Sequence, residues 1–148
     1  MLNCLTLRLK DNKMVETNNL SNDFTYNWAG KCILIAEDAK MNFILLKKAL
    51  EKTNAIVLWA KNGEEAVEIA TTENVDLILM DMQMPRIDGY EAIKLIREHK
   101  NSVPIIAQTA FSMSGEKEKI MEIGCNDYIS KPISRSDLLE KIQKIFQL

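Results

Sequence analysis

The 148-residue sequence lacks the features on which most zinc, membrane and nucleic-acid-binding proteins depend. It has three cysteines and one histidine, and no pair of them has the spacing of a zinc site. No apolar run approaches the roughly 20 residues of a membrane-spanning helix, and charged residues interrupt the N-terminus too early for a signal peptide. The formal net charge of −2 lacks the basic excess that phosphate contacts require. We therefore expect a globular domain without a membrane segment and without direct nucleic-acid binding.

The cysteines are odd in number and far apart, at positions 4, 32 and 125. Cys32 and Cys125 lie in or beside apolar runs, so we expect them to act as small buried hydrophobic side chains. Unpaired thiols fit a reducing compartment, and we expect the protein to be cytoplasmic.

Residues 1–30 differ in pattern from the rest of the chain. Leu5–Lys10 alternates apolar and polar residues like a strand, and residues 11–27 are rich in Asn, Thr and Ser, as linkers are. Tyr26 and Trp28 are candidates to dock this segment on the domain. We predict an N-terminal extension or linker over 1–30 and a single domain over 31–148.

From residue 31 onward, short apolar runs alternate with segments of helical periodicity. The runs predict strands over 32–36, 55–60, 75–80, 104–109 and 127–130, and the periodic segments predict helices over 41–52, 63–71, 90–98, 114–123 and 134–146. The first helix has an apolar stripe of Leu45, Leu46, Ala49 and Leu50. Strands that are apolar on both faces predict an α/β fold: a doubly wound five-stranded parallel sheet of flavodoxin-like order 2-1-3-4-5, with helices on both faces. Half of a barrel would leave its sheet edges unclosed and is the weaker alternative.

Chemically active residues follow the predicted strands at their carboxyl ends, where ligands bind in such sheets. Glu37 and Asp38 follow the first strand and Asp81 follows the third, so three carboxylates are expected to converge. Such a cluster repels itself unless a cation offsets its charge, and oxygen ligands with room for waters suit Mg²⁺.

The other strand ends add a hydroxyl and a cation. Thr109 ends the fourth strand, Lys131 follows the fifth, and Pro132 is a candidate for a cis peptide bond. A carboxylate nucleophile, a cation and a hydroxyl donor are the parts that phosphoryl transfer to an aspartate needs. Taken singly, each has an ordinary structural explanation: Asp38 as a helix cap, Thr109 as a strand end and Lys131 as a surface lysine. Their common edge favours the functional interpretation.

At these positions the chain resembles the receiver domains of two-component response regulators and hybrid sensor kinases over about residues 31–148. Five motifs carry the resemblance in the family's order: Ile35-Ala-Glu37-Asp38, Asp81 with Pro85 and Gly89 in the loop after it, Thr109-Ala110, Tyr128, and Lys131-Pro132.

The resemblance implies a role for each of these residues. Asp81 is implied as the phosphoacceptor, and Mg²⁺ is implied to be held by Asp38, Asp81 and the backbone carbonyl of Gln83, with Glu37 acting through water. Lys131 and Thr109 are implied to contact the phosphoryl oxygens. Thr109 and Tyr128 are implied as the switch residues, whose movement remodels the face formed by the fourth helix, the fifth strand and the fifth helix. Gln83 and Phe111 occupy positions that tune phosphoryl lifetime in the family, and Phe111 favours a lifetime that is not unusually short.

A receiver domain takes its phosphoryl group from a histidine kinase or a histidine phosphotransfer domain, and these are the partners that the resemblance implies. No output module follows the last predicted helix, so we expect either a free-standing regulator or the C-terminal receiver of a hybrid kinase. The sequence around Asp81 resembles that of hybrid kinases more closely. As an isolated domain we expect no enzymatic activity beyond self-phosphorylation and self-dephosphorylation. A homodimer through the fourth helix, the fifth strand and the fifth helix is expected from the same resemblance.

His99 is interpreted as a surface residue at a helix end, favoured by the helix dipole.

Two other functions remain open at this point. A haloacid-dehalogenase-like phosphatase also uses a strand-end aspartate with Mg²⁺, but its second acid, two residues on, is Gln83 here, which cannot act as a general acid. A receiver-like docking module that is never phosphorylated is the other alternative, although such a module usually lacks one of the acids or the lysine.

Overall fold

The computed structural model describes residues 26–99, 102–110 and 114–147. Within these ranges, strands and helices alternate as follows: β1 (Cys32–Ala36), α1 (Lys40–Leu50), β2 (Ile56–Ala60), α2 (Gly63–Thr72), β3 (Leu77–Asp81), α3 (Gly89–His99), β4 (Ile105–Thr109), α4 (Glu116–Glu122), β5 (Asp127–Ser130) and α5 (Arg135–Phe146). A short 3-10 turn, Glu51–Thr53, continues α1. Each of the strands and helices predicted from residue 31 onward is confirmed. The boundaries differ by at most two residues, as they do between methods for any helix end.

All five strands are parallel and lie in the order β2-β1-β3-β4-β5, which confirms the predicted flavodoxin-like topology. Every residue of β1, β3 and β4 is buried, because helices cover both faces of the sheet at its centre. The strand β2 lies at one edge, where Ile56 is 55% exposed.

Two hydrophobic cores pack on opposite faces of the sheet, which confirms the predicted helices on both faces. One core joins alternate strand residues such as Ile33 and Ile35 to α1 and α5, and the other joins Leu34 and Ala36 to α2, α3 and α4. The alternation follows from the period of two along a strand.

The buried stripe of α1 differs from the predicted one: it includes Phe43 and excludes Leu45, and Ala49 is half-buried. Leu45 is 59% exposed, whereas Phe43, Leu46 and Leu50 are buried. These three follow one another at intervals of three and four residues, which places them on one helix face. Leu45 lies a quarter of a turn or more away from that face, so the prediction that Leu45 is buried was wrong.

The chain just before β1 packs against the C-terminal helix. Trp28 is 4% exposed, and its indole nitrogen donates a hydrogen bond of 2.7 Å to Gln143 Oε1 in α5. Its ring stacks on the ring of Tyr26 and meets that of Phe146 edge to face. In each of these two pairs the ring centroids are 5.4 Å apart. The predicted docking by Tyr26 and Trp28 is confirmed. The strand-like alternation over Leu5–Lys10 lies outside the described residues, and the domain boundary at residue 31 stays a prediction.

Two further expectations concern the cysteines and the membrane. Cys32 and Cys125 are buried and free, as the sequence predicts. Of the helices that the structure describes, none has the length and apolar character needed to cross a bilayer.

Candidate functional site

Three carboxylates lie together at the carboxyl edge of the sheet. Glu37 and Asp38 come directly after β1, and Asp81 is the last residue of the neighbouring strand β3. Because the two strands are parallel neighbours, their ends meet, and carboxylate oxygens of the three residues lie within 4.8 Å of one another. Glu37 and Asp81 are buried, at 1% and 3% exposure, while Asp38 is exposed. The structure thus brings together the three acids that the sequence singled out.

Lys131, which directly follows the edge strand β5, reaches this cluster with its side chain. Its ammonium nitrogen lies 3.1 Å from Asp81 Oδ2 and 3.4 Å from Glu37 Oε2. Its backbone N–H donates to the carbonyl of Thr109 at 2.7 Å, which ties the end of β5 to the end of β4. The peptide bond between Lys131 and Pro132 is cis. The lysine is therefore anchored through its backbone beside the acids.

One ammonium group does not offset the charge of three carboxylates, and the pKa of Glu37 is shifted as a result. Burial raises the pKa of Glu37 above its ordinary value, and the charge of Asp81 raises it further. Hydrogen bonds from the Ala39 N–H at 3.1 Å and from Asn42, together with the charge of Lys131, oppose that rise in part. The excess of negative charge and the all-oxygen donor set fit a hard divalent cation.

The loop after Asp81 is held tightly against the end of its strand. The backbone N–H of Gln83 donates to Asp81 Oδ1 at 3.0 Å, and the N–H of Gly89 donates to the Met82 carbonyl at 3.2 Å. A β-carbon at Gly89 would lie 2.6 Å from the Asp81 carbonyl oxygen, so only glycine fits there. The exposed Pro85 lies in the turn between them. This packing fixes the position of the Asp81 carboxylate.

The two predicted switch residues have partners on the helices beyond the site. Thr109, the last residue of β4, donates its hydroxyl hydrogen bond to Glu116 Oε1 in α4 at 3.1 Å. The half-buried ring of Tyr128 lies at cation–π distance from two ammonium groups, with Lys117 Nζ 5.5 Å and Lys141 Nζ 5.7 Å from its centroid. Sequence reasoning missed these three partners, because charged residues in a surface helix usually face solvent and no motif marks them.

Gln108 is a second feature that sequence reasoning missed. It is the last residue but one of β4 and has no exposure, and neither polar atom of its side chain has a hydrogen-bond partner among the described residues. Beside it, a cleft of about 570 Å³ runs between α1 and the loop after β5. Glu37, Leu45 and Lys131 also line this cleft, which therefore opens next to the acids.

Two other predicted residues lie away from these contacts. His99 is the exposed last residue of α3, and its Nδ1 lies 2.8 Å from the Leu95 carbonyl oxygen, so it is a surface residue at a helix end, as expected. Phe111 falls outside the described residues, and its effect on phosphoryl lifetime stays a prediction.

Comparison with known proteins supports the interpretation of fold and site. The family model of the response regulator receiver domain matches residues 33–143. The polar-differentiation response regulator DivK of Brucella anthropi is 38% identical over 115 residues, which are 76% of this chain and 94% of that protein.

Solved structures lead to the same family. The receiver domain of the sensor histidine kinase PA1611 from Pseudomonas aeruginosa, crystallised with a magnesium ion in its active-site cleft, superposes with a TM-score of 0.75 and 35% identity over 81% of this chain and 100% of that one. The receiver domain of Ssk1 from Saccharomyces cerevisiae was crystallised with the histidine phosphotransfer protein Ypd1. It gives a TM-score of 0.73 and 36% identity, and the match covers 77% of this chain and 87% of that one. This chain therefore belongs to the response regulator receiver domain family of two-component signalling.

Proposed function

We propose that this receiver domain stores a signal by accepting a phosphoryl group from a phosphohistidine onto Asp81. The observation that carries the proposal is the position of Asp81 at the centre of the site. It ends the central strand β3, lies 3.1 Å from the Lys131 ammonium and receives the Gln83 N–H. The neighbouring Glu37 carboxylate is buried beside it and accepts hydrogen bonds from Ala39, Asn42 and Lys131.

The transfer exchanges one bond for another. A carboxylate oxygen of Asp81 attacks phosphorus, the oxygen–phosphorus bond forms, and the bond from phosphorus to the donor imidazole nitrogen breaks, with its electron pair going to the imidazole. The Lys131 ammonium offsets charge on the phosphoryl oxygens, which is the main requirement of this reaction. The Thr109 hydroxyl is positioned at the neighbouring strand end to donate to one of those oxygens once it leaves Glu116.

The same acids fit Mg²⁺. Asp38 and Asp81, with the backbone carbonyl of Gln83, would hold the ion directly, and Glu37 would act through water. When bound, Mg²⁺ would neutralise charge on the acids and on the incoming phosphoryl group. The three converging carboxylates and the raised pKa of Glu37 support this assignment.

Labelling by a small phosphodonor tests the proposal. The unmutated protein, Asp81→Asn and Asp137→Asn are incubated with Mg²⁺ and acetyl phosphate, and intact mass is measured. Asp137 is an exposed acid in the first turn of α5 and serves as the control. We expect the mass of one phosphoryl group to be added to the unmutated and control proteins and to be absent from Asp81→Asn. Labelling of Asp81→Asn would contradict the assignment, and steady turnover of a generic phosphate ester would favour a phosphatase instead.

We further propose that the domain carrying the phosphohistidine docks on α1. Met41, Ile44 and Leu45 are 67%, 43% and 59% exposed on this helix, which borders the cleft beside Lys131. An apolar patch at the rim of the acceptor edge is the kind of surface that a partner covers. The complex of Ssk1 with Ypd1 supports a histidine phosphotransfer protein as the partner class.

Substitutions in this apolar patch test the docking proposal. Leu45→Glu should slow phosphotransfer from a phosphorylated histidine phosphotransfer protein about tenfold, because a charge replaces a central apolar contact. Labelling by acetyl phosphate should not change. Ile56→Glu is the matched control, because Ile56 is equally exposed but starts β2 at the opposite end of the sheet. Equal transfer rates for both variants would refute docking on α1.

Phosphorylation is further proposed to promote a homodimer through α4, β5 and α5. Met121 is 43% exposed on α4, and an ion pair between Asp127 and Lys141 joins β5 to α5. Sedimentation of the protein with and without beryllofluoride tests this, and a monomer under both conditions would refute it.

The cellular context is also part of the proposal. Two buried free thiols, Cys32 and Cys125, support a reducing compartment such as the cytoplasm. The 35% identity to the receiver domain of sensor kinase PA1611 supports a hybrid histidine kinase as the parent protein, whereas the 38% identity to DivK over 94% of that protein supports the free-standing alternative. Sequencing the flanking genomic region for a kinase core tests the second point directly.

A further inference from the structure

Glu116, in the first turn of α4, binds groups from two other elements. Its carboxylate accepts the hydroxyl hydrogen bond of Thr109 at the end of β4, at 3.1 Å. It also lies near the Tyr90 hydroxyl at the start of α3, where burial, followed by the charge of Glu116, raises the pKa of Tyr90. A single carboxylate thus joins α4, β4 and α3 just behind the phosphoryl-accepting edge.

We propose that Glu116 is a positioning residue that competes with the phosphoryl group for the Thr109 hydroxyl and so holds the domain in its resting conformation. The inference rests on the proposed role of Asp81 and adds a residue that none of the family motifs includes.

The competition follows from the chemistry of a hydroxyl. Threonine has one hydroxyl proton to donate, and in this structure Glu116 accepts it. A hydrogen bond to a carboxylate is charge-assisted and roughly twice as strong as a neutral one. For Thr109 to donate to a phosphoryl oxygen, this bond must break. The bond therefore stabilises the resting state selectively, and its loss shifts the two-state equilibrium toward the active one.

The next residue of α4 holds the other switch side chain. The Lys117 ammonium lies 5.5 Å from the centroid of the Tyr128 ring, at cation–π distance. Adjacent residues of one helical turn therefore contact both Thr109 and Tyr128. Movement of Thr109 toward a phosphoryl group would release the start of α4, and with it the contact on Tyr128.

Titration with beryllofluoride tests the competition without phosphotransfer chemistry. The unmutated protein and the variants Glu116→Ala, Glu116→Gln and Glu118→Ala are titrated at fixed Mg²⁺, and binding is followed by NMR. Glu118→Ala is the matched control, because it removes an exposed acid from the same helical turn. Glu116→Gln removes the charge but keeps an oxygen that can accept the Thr109 hydrogen bond.

We expect Glu116→Ala to bind beryllofluoride about tenfold more tightly than the unmutated protein, as loss of a partly exposed charge-assisted hydrogen bond in the resting state implies. Glu116→Gln should fall within about threefold of the unmutated protein, because a weaker hydrogen bond remains. Glu118→Ala should show no change. In a parallel absorbance titration, the pKa of Tyr90 should fall toward its ordinary value in Glu116→Ala and stay raised in Glu118→Ala.

Two outcomes would overturn the proposal. If Glu116→Ala binds no more tightly than Glu118→Ala, the hydrogen bond does not oppose activation. If Glu116→Gln binds as tightly as Glu116→Ala, charge repulsion and not competition for the hydroxyl explains the effect. Failure of the unmutated protein itself to bind beryllofluoride would count against the role of Asp81, which is a separate result.

Discussion

At the scale of single residues, Glu37 shows how the site is arranged for a cation. Its pKa is raised by burial and by Asp81, so the folded protein binds a proton at Glu37 more readily than the unfolded chain does. The stability of the metal-free protein therefore decreases as pH rises from the ordinary pKa of a glutamic acid through the raised pKa of Glu37. A buried acid that weakens the metal-free fold is understandable if a cation is its normal partner.

Glu37→Gln should remove this penalty. In metal-free buffer at neutral pH we expect the free energy of unfolding to rise by roughly 1 kcal/mol, with a smaller gain at pH 4, where Glu37 is more protonated in the unmutated protein. The stabilisation by added Mg²⁺ should shrink. Urea unfolding at both pH values, with and without Mg²⁺, measures these effects. Glu122→Gln is the control, because it removes the charge of an exposed glutamate. Destabilisation of Glu37→Gln in metal-free buffer would contradict this view of the site.

Gln108 makes a second prediction at this scale. A buried amide without hydrogen-bond partners costs stability, so Gln108→Met, which keeps the volume, should raise the free energy of unfolding by about 1 kcal/mol. Gln143→Met should lower it by a similar amount, because Gln143 accepts the 2.7 Å hydrogen bond of Trp28. Chemical unfolding compares the two, and a loss of stability in Gln108→Met would indicate that a buried water satisfies the amide.

At the scale of elements, Arg97 connects α3 to the segments before β4 and β5. Its guanidinium donates to the Val103 carbonyl at 2.7 Å and to the Gly124 carbonyl at 2.7 and 3.0 Å. It is half-buried, and burial lowers its pKa. Lysine cannot reproduce this forked geometry. The arginine therefore fixes the strand β4, and with it Thr109, from the end opposite the site.

Arg97→Lys should lower the free energy of unfolding by about 2 kcal/mol, because buried carbonyl groups lose their donors. Arg86→Lys is the matched control, because Arg86 is exposed and its only described ion pair, with Glu64 at 3.4 Å, contributes little. Thermal unfolding of both variants measures the difference. Equal stability of the two variants would show that the contacts of Arg97 are dispensable.

Elements were more predictable from the sequence than the contacts between them. The strand runs and the helical stripes follow from backbone periodicity, which is local, and each of the elements predicted from residue 31 onward is present. The buried face of α1 was predicted to include Leu45, which is exposed, and not Phe43, which is buried. The error arose because apolar residues such as Ile44 and Leu45 also occur on the exposed side of the helix. Exposed apolar residues are common on protein surfaces, and periodicity alone does not distinguish them from core residues.

At the scale of the whole molecule, topology explains why the site residues could be named in advance. Parallel strands place all their carboxyl ends at one edge, so Glu37, Asp38, Asp81 and Lys131 meet although up to 94 positions separate them in sequence. The contacts of Thr109 with Glu116 and of Tyr128 with Lys117 could not be predicted in this way. They depend on where α4 packs and on which rotamers its side chains adopt, and neither follows from strand order.

Chemical trapping identifies the residue that accepts the phosphoryl group, which we propose to be Asp81. The protein is phosphorylated with acetyl phosphate and Mg²⁺, reduced with borohydride, which converts an acyl phosphate to an alcohol, and digested for peptide mass spectrometry. We predict homoserine at position 81 and unchanged aspartate at position 38. Homoserine at another acid, or a phosphorylated protein without homoserine at position 81, would contradict the account.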